Sequence, residues 1–130
     1  MPDLACALLP QALARANIAS GGHRGASTAV LRWGDEAAAR DLAGAAGFDL
    51  IFAADVLYFA GDEVARRLTD TVAMMLAPTP DARAVFANHG SWFTASLERC
   101  LEASAEASGL GLSRLPNADG SKICELRAKG

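Results

Sequence analysis

Two polar side chains stand where an apolar run ends. In Phe48-Asp49-Leu50-Ile51-Phe52-Ala53-Ala54-Asp55-Val56-Leu57-Tyr58, a strand-like stretch stops at Asp55, and a phenol follows three residues later. A carboxylate accepts a proton or orients an N–H, and a phenol orients an incoming nucleophile. In open α/β sheets, ligands bind just beyond the carboxyl ends of the strands, so this position suits chemistry. His89, in Asn88-His89-Gly90, follows a second apolar run on the same presumed face. It is a possible base, but a lone histidine after a strand reads first as a turn residue. Ser91 has no Gly-x-Ser-x-Gly context, so no hydrolase elbow is expected. The stretch Ser20-Gly21-Gly22-His23-Arg24-Gly25 is glycine-rich but follows a helical pattern, which makes it a poor phosphate loop. Cys6, Cys100 and Cys124 have no metal-ligand spacing and read as small apolar residues.

The chain has 130 residues, 52% of them hydrophobic, and a net charge of −3. That is enough apolar material for the core of one domain spanning 1–130. Lysine and arginine form no stripe, so no nucleic-acid partner is expected. The apolar stretches fall short of the ~20 residues that cross a membrane, so no membrane association is expected either. Asp3 and the lack of early positive charge do not read as a signal peptide. Three widely spaced cysteines, expected to be reduced, fit a cytoplasmic location.

The elements that must position Asp55 and Tyr58 follow from periodicity. Residues 4–17 read as a helix, 18–27 as a loop, and 28–33 as a strand broken by Gly34-Asp35. A short helix or loop over 36–46 leads to the strand over 48–54. Asp62 opens a helix to about Leu76, with Val64, Leu68, Val72 and Met75 on one face, stopped by Pro78 and Pro80. Residues 83–87 form the next strand. Ser91 is the expected cap of a helix carrying Phe93, Leu97, Cys100, Leu101 and Ser104 on one face, and Gly109 ends it. Residues 110–115 and 122–127 alternate as a hairpin around Pro116-Asn117-Ala118-Asp119-Gly120-Ser121. Helices between strands predict an α/β domain with a mostly parallel sheet, an antiparallel C-terminal hairpin, and helices on both faces.

Trp33-Gly34 at the end of one strand, and Ala54-Asp55-Val56-Leu57-Tyr58 at the end of the next, carry a resemblance. With the opening Pro2-Asp3-Leu4 and the terminal hairpin, the chain resembles the C-terminal part of a class I S-adenosylmethionine-dependent methyltransferase. More narrowly, it is similar to the protein-lysine methyltransferase-like group, methyltransferase family 16. The resemblance implies a truncated Rossmann-like sheet, with S-adenosylmethionine as cofactor and a lysine amine of a protein substrate as acceptor. It implies that Trp33 lines the adenine pocket and that the backbone at Ala54 contacts the cofactor. Asp55 and Tyr58 would be the catalytic pair near the methyl group. The family's glycine-rich loop and first two strands have no counterpart in these residues. From the family's sheet order, 3-2-1-4-5-7-6, the strand over 48–54 is expected to become an unpaired apolar edge. The strand over 28–33 either pairs with it directly or loses its neighbour. Such an edge invites association. The alternative function is a catalytically inactive methyltransferase-like fragment that acts as a binding module.

Overall fold

The computed structural model describes residues 29–57, 62–91, 93–116 and 121–129. The chain divides into two compact units, Met1–Arg32 and Trp33–Gly130. The helix expected over 4–17, the loop over 18–27, and Tyr58 lie outside the described residues. Residues 29–32 are in no strand, so the strand expected over 28–33 is absent from its described part. None of the four described strands pairs with those residues, and strand propensity alone does not make a strand.

The second unit contains three helices: α1 (Glu36–Ala43), α2 (Asp62–Met75) and α3 (Ala95–Ala107). Asp35 starts α1 by accepting a hydrogen bond from the Ala38 N–H at 3.1 Å. Gly44, at φ 64°, ends it. The α2 helix stops before Pro78, but its buried face is not quite the expected one. Ala65, Leu68, Thr69 and Val72 are buried, whereas Val64 is exposed. The helix packs against both α1 and α3, so two flanks are covered instead of one stripe.

The start of α3 corrects the expected cap. Thr94, not Ser91, accepts from the Leu97 N–H at 3.2 Å. The Ser91 hydroxyl is instead 2.7 Å from His89 Nδ1. Thr94→Ala is expected to cost about 1 kcal/mol of stability, the usual value of such a cap. Ser91→Ala should change the urea midpoint far less. Equal effects would contradict the assignment.

Four strands complete the unit: β1 (Leu50–Ala54), β2 (Arg83–Asn88), β3 (Leu110–Leu115) and β4 (Lys122–Ala128). They lie in the order β1-β2-β4-β3, which matches the 4-5-7-6 end of the order implied by the resemblance. The sheet is mixed, not mostly parallel. Only β1 and β2 pair in parallel; β4 runs antiparallel to both β2 and β3. The α2 and α3 crossovers do keep β1, β2 and β3 pointing one way, but the hairpin returns β4 into the gap between β2 and β3 and so reverses two of the three contacts. Among the described strands, β1 has a neighbour on one side only.

Side chains alternate across this sheet. Ala84 and Phe86 of β2, Cys124 and Leu126 of β4, and Leu110 of β3 face a core shared with Leu68, Val72, Phe93, Leu101 and Ala105. Phe86, Phe93, Leu57, Leu101 and Leu126 are fully buried. Phe52 and Val85 point to the other face, in register with Glu125. Phe52 is 74% exposed there, so it has no helix over it. Among the described residues the helices therefore cover one face, not both. Between α2 and α3, Ser108 Oγ lies 2.7 Å from Asp70 Oδ1 and 3.0 Å from Thr69 Oγ1, a polar link that fixes their spacing.

Candidate functional site at the carboxyl ends of β1 and β2

The site starts from a backbone that does not simply continue. Asp55 follows β1 at φ 53°, the one described non-glycine residue in left-handed space. Aspartate is among the few side chains that tolerate this conformation. The turn is held on both sides. The Asp55 N–H donates to Ala87 O at 2.9 Å, and Asp55 Oδ1 accepts from the His89 N–H at 2.8 Å. One residue thus ties the end of β1 to the end of β2. Its Oδ1 is committed to that tie, and Oδ2 is the oxygen left to face a ligand.

His89 and Ser91 form the other half of the rim. The Ser91 N–H donates to His89 Nδ1 at 3.2 Å, and the Ser91 hydroxyl is 2.7 Å from the same atom. A backbone N–H can only donate, so Nδ1 accepts and a neutral imidazole carries its proton on Nε2. His89 therefore presents a donor to the exposed rim, and this geometry does not supply a base at Nε2. The sequence singled out Asp55, His89 and Ser91 separately. Their joining needed the register that sets Ala54 beside Ala87. The available signal was the Asn88-His89-Gly90-Ser91 turn directly after a strand parallel to β1.

The remaining site residues divide. Ala54 is the last residue of β1 and is exposed, so its small side chain leaves the strand end open to approach. Trp33 is half-buried and packs against the core cluster. Its neighbour Gly34 donates to Thr71 Oγ1 at 2.8 Å, which anchors this turn to the middle of α2. The structure thus brings Asp55, His89 and Ser91 together, whereas Trp33 belongs to a different contact. A cleft of about 480 Å³, lined by Gly34, Glu36, Arg40, Asp70, Ala73 and Met74, lies between α1 and α2 and includes none of the rim residues.

The described cysteines take no part. Burial pushes the Cys124 thiol up to about 11, and the Glu98 carboxylate adds to this. Burial also raises Cys100, helped by its contact with Asp62 at 3.0 Å. Neither is the thiolate that nucleophilic chemistry needs near neutral pH. Among the described residues, no three His, Cys, Asp or Glu side chains gather in a way that would hold a metal. No described helix is long and apolar enough to cross a membrane.

No family model matches the sequence, and no curated protein matches it. Solved structures do resemble the fold. LaPhzM superposes with a TM-score of 0.65 at 17% identity, over 92% of this chain and 40% of its own. The mitomycin 7-O-methyltransferase MmcR superposes with a TM-score of 0.63 at 18% identity, over 88% of this chain and 38% of its own. Magnesium protoporphyrin IX methyltransferase (ChlM) from Synechocystis PCC 6803, solved with bound SAM, gives 0.56 at 16% identity, over 92% and 52%. The chain therefore spans about half or less of the length of these proteins. At such identities the likeness is one of fold: the described residues share a Rossmann-like α/β arrangement with part of two proteins named as methyltransferases.

Proposed function

We propose that these residues form part of an S-adenosylmethionine-dependent methyltransferase domain. The observation that carries this reading is the strand order β1-β2-β4-β3, combined with Asp55 held in left-handed backbone at the carboxyl end of β1. A strained polar residue at a strand end is where α/β folds concentrate ligand chemistry. The cofactor, when bound, supplies an electrophilic methyl group on a sulfonium. The residues present fit one wall of its site. Exposed Ala54 offers a strand end without bulk, and Asp55 offers a free carboxylate oxygen. By the resemblance, Trp33 lines the adenine and Tyr58 joins Asp55 at the mouth.

Asp55 has two separable tasks in this reading. Oδ1 holds the turn through the His89 N–H. Oδ2 would orient the acceptor's N–H and accept its proton, while the methyl would pass to nitrogen with the C–S bond breaking and the sulfonium leaving as a neutral thioether. In-line displacement of this kind depends chiefly on positioning. The acceptor class we propose is a protein lysine amine, on the strength of the Ala-Asp-x-x-Tyr element. The names of MmcR and ChlM give weight to a small-molecule acceptor as the competing class. A binding module without turnover is the reading from a different class.

Calorimetric titration with S-adenosylmethionine separates these readings. Saturable heat at micromolar to low-millimolar cofactor supports the proposal; none at any accessible concentration favours the binding module. In the active protein, Asp55→Asn should keep the Oδ1 acceptor yet lower turnover by about 100- to 10,000-fold, the usual share of a positioned acid or base. Asp55→Ala should lose turnover and also about 1 kcal/mol of stability from the broken tie. Wild-type turnover in Asp55→Asn would refute the role.

A further inference from the structure

Asn88 is the last residue of β2 and directly precedes His89 of the rim. With Ala84 and Phe86 it faces the core, and it is 2% exposed. Its amide nitrogen donates, at 3.3 Å, to the backbone oxygen of Lys122, the residue opposite it on β4. A carbonyl oxygen only accepts, so this bond fixes which end of the amide is the nitrogen. The other end, Oδ1, is buried and has no hydrogen-bond partner among the described residues. Buried polar atoms in folded chains almost always have one, so this acceptor calls for a donor from outside the fold. The amide is planar and its nitrogen is turned to β4, so Oδ1 turns away from β4, to the side of β1. One step beyond the Ala54–Ala87 pair, that side holds Asp55.

We infer that Asn88 Oδ1 is a second acceptor for the methyl-receiving group, and that this group is a primary amine, a nitrogen with two hydrogens, in preference to a hydroxyl. The inference rests on the methyl-transfer reading and narrows its acceptor. Asp55 Oδ2 takes one N–H and Asn88 Oδ1 takes the other. Neighbouring strands lie about 4.8 Å apart. A nitrogen that donates two hydrogen bonds of about 2.9 Å spans acceptors about 4.7 Å apart, so a carboxylate and an amide at the ends of adjacent strands suit it. A hydroxyl has one hydrogen and leaves one of the two oxygens bare. A neutral amine that already carries one methyl group does the same. Leaving a buried acceptor bare costs more than an ordinary hydrogen bond gains, so Asn88 acts by rejecting groups that lack the second N–H.

The test uses the 130-residue protein and two cations of equal charge at pH 7. n-Butylammonium carries N–H donors, and N,N,N-trimethylbutylammonium carries none. Binding is read by NMR at the side-chain amide of Asn88. n-Butylammonium should shift that signal saturably and bind about tenfold more tightly than the trimethyl cation, the value of one hydrogen bond to a buried acceptor. Asn88→Leu, of similar shape and with unchanged circular dichroism, should bring the two affinities within about twofold. Equal affinities in the wild-type chain, no binding by either cation, or selectivity that survives in Asn88→Leu overturns the inference. So does a water contact to Asn88 that persists at saturating n-butylammonium, because a buried water then fills the place. The wild-type titration decides the matter even if the variant does not fold. The calorimetric cofactor titration keeps the two failures apart. Cofactor heat without amine selectivity sinks this inference alone, whereas amine selectivity without cofactor heat supports the amine site and sinks methyl transfer.

Discussion

Phe86→Ala is expected to lower the free energy of unfolding by about 3–5 kcal/mol, the range for a fully buried aromatic side chain. Phe86 has no exposed surface and sits mid-strand in β2, between Ala53 of β1 and Cys124 of β4. Its ring fills the layer between the sheet and the α2–α3 pair, where small neighbours cannot close the void it would leave. Against a total stability of roughly 5–15 kcal/mol, such a loss brings a domain close to unfolding at ambient temperature. Phe52→Ala is the control. It removes the same side chain from the neighbouring strand, but from a position 74% exposed on the other face. Its expected change is within about 0.5 kcal/mol. Urea unfolding followed by circular dichroism measures both. Similar losses would mean that the uncovered face is buried in solution, and that the core is not confined to the helix side.

Gly47→Ala is the second large effect. Gly47 has φ 72°, and a Cβ there would stand 2.7 Å from both Ala77 Cα and Ala77 N, and 2.9 Å from Leu76 C. These are backbone atoms, held by the bond from the Phe48 N–H to Met75 O and that from the Ala77 N–H to Phe48 O, each 2.8 Å. The positive φ costs about 1–2 kcal/mol for an L residue. The forced shift of packed backbone adds about 1–3 kcal/mol. Gly44→Ala isolates the first contribution, because φ there is 64° and nothing lies within 4 Å of the added carbon. The expected order is a clear loss for Gly47→Ala, about 2–5 kcal/mol, and roughly a third of that for Gly44→Ala. Equal losses would mean that the chain entering β1 does not approach Ala77 as described.

Much of the fold was legible because its signals are local. Leu50–Ala54 is apolar throughout, Pro78 and Pro80 bar a longer α2, and Gly109 takes φ 82° where α3 ends. The β3–β4 hairpin could be read from alternation alone. The readings that changed each depended on a distant partner. Ser91 has the chemistry of a cap, but the imidazole two residues earlier takes its hydroxyl, and Thr94 caps in its place. Val64 has the right spacing for the buried stripe of α2, but α2 lies between two helices, which turns that stripe aside. Residues 29–32 have strand propensity but pair with none of the four described strands.

The candidate site divides along the same line. By itself the sequence determined the chemical inventory: a carboxylate and a phenol three residues apart beyond an apolar strand, with a histidine beyond the next. Burial and periodicity along one segment suffice for that. Only the tertiary structure decided which of these groups meet. The parallel β1–β2 register joins Asp55 to the His89 N–H, and the turn after β2 ties the imidazole's Nδ1 to the Ser91 N–H. It also decided that β4 enters beside β2, that the sheet is mixed, and that the face carrying Phe52 has no described helix over it. The physical reason is that strand pairing and sheet faces are long-range choices, set by which segments complete each other's hydrogen bonds and cover each other's apolar surface.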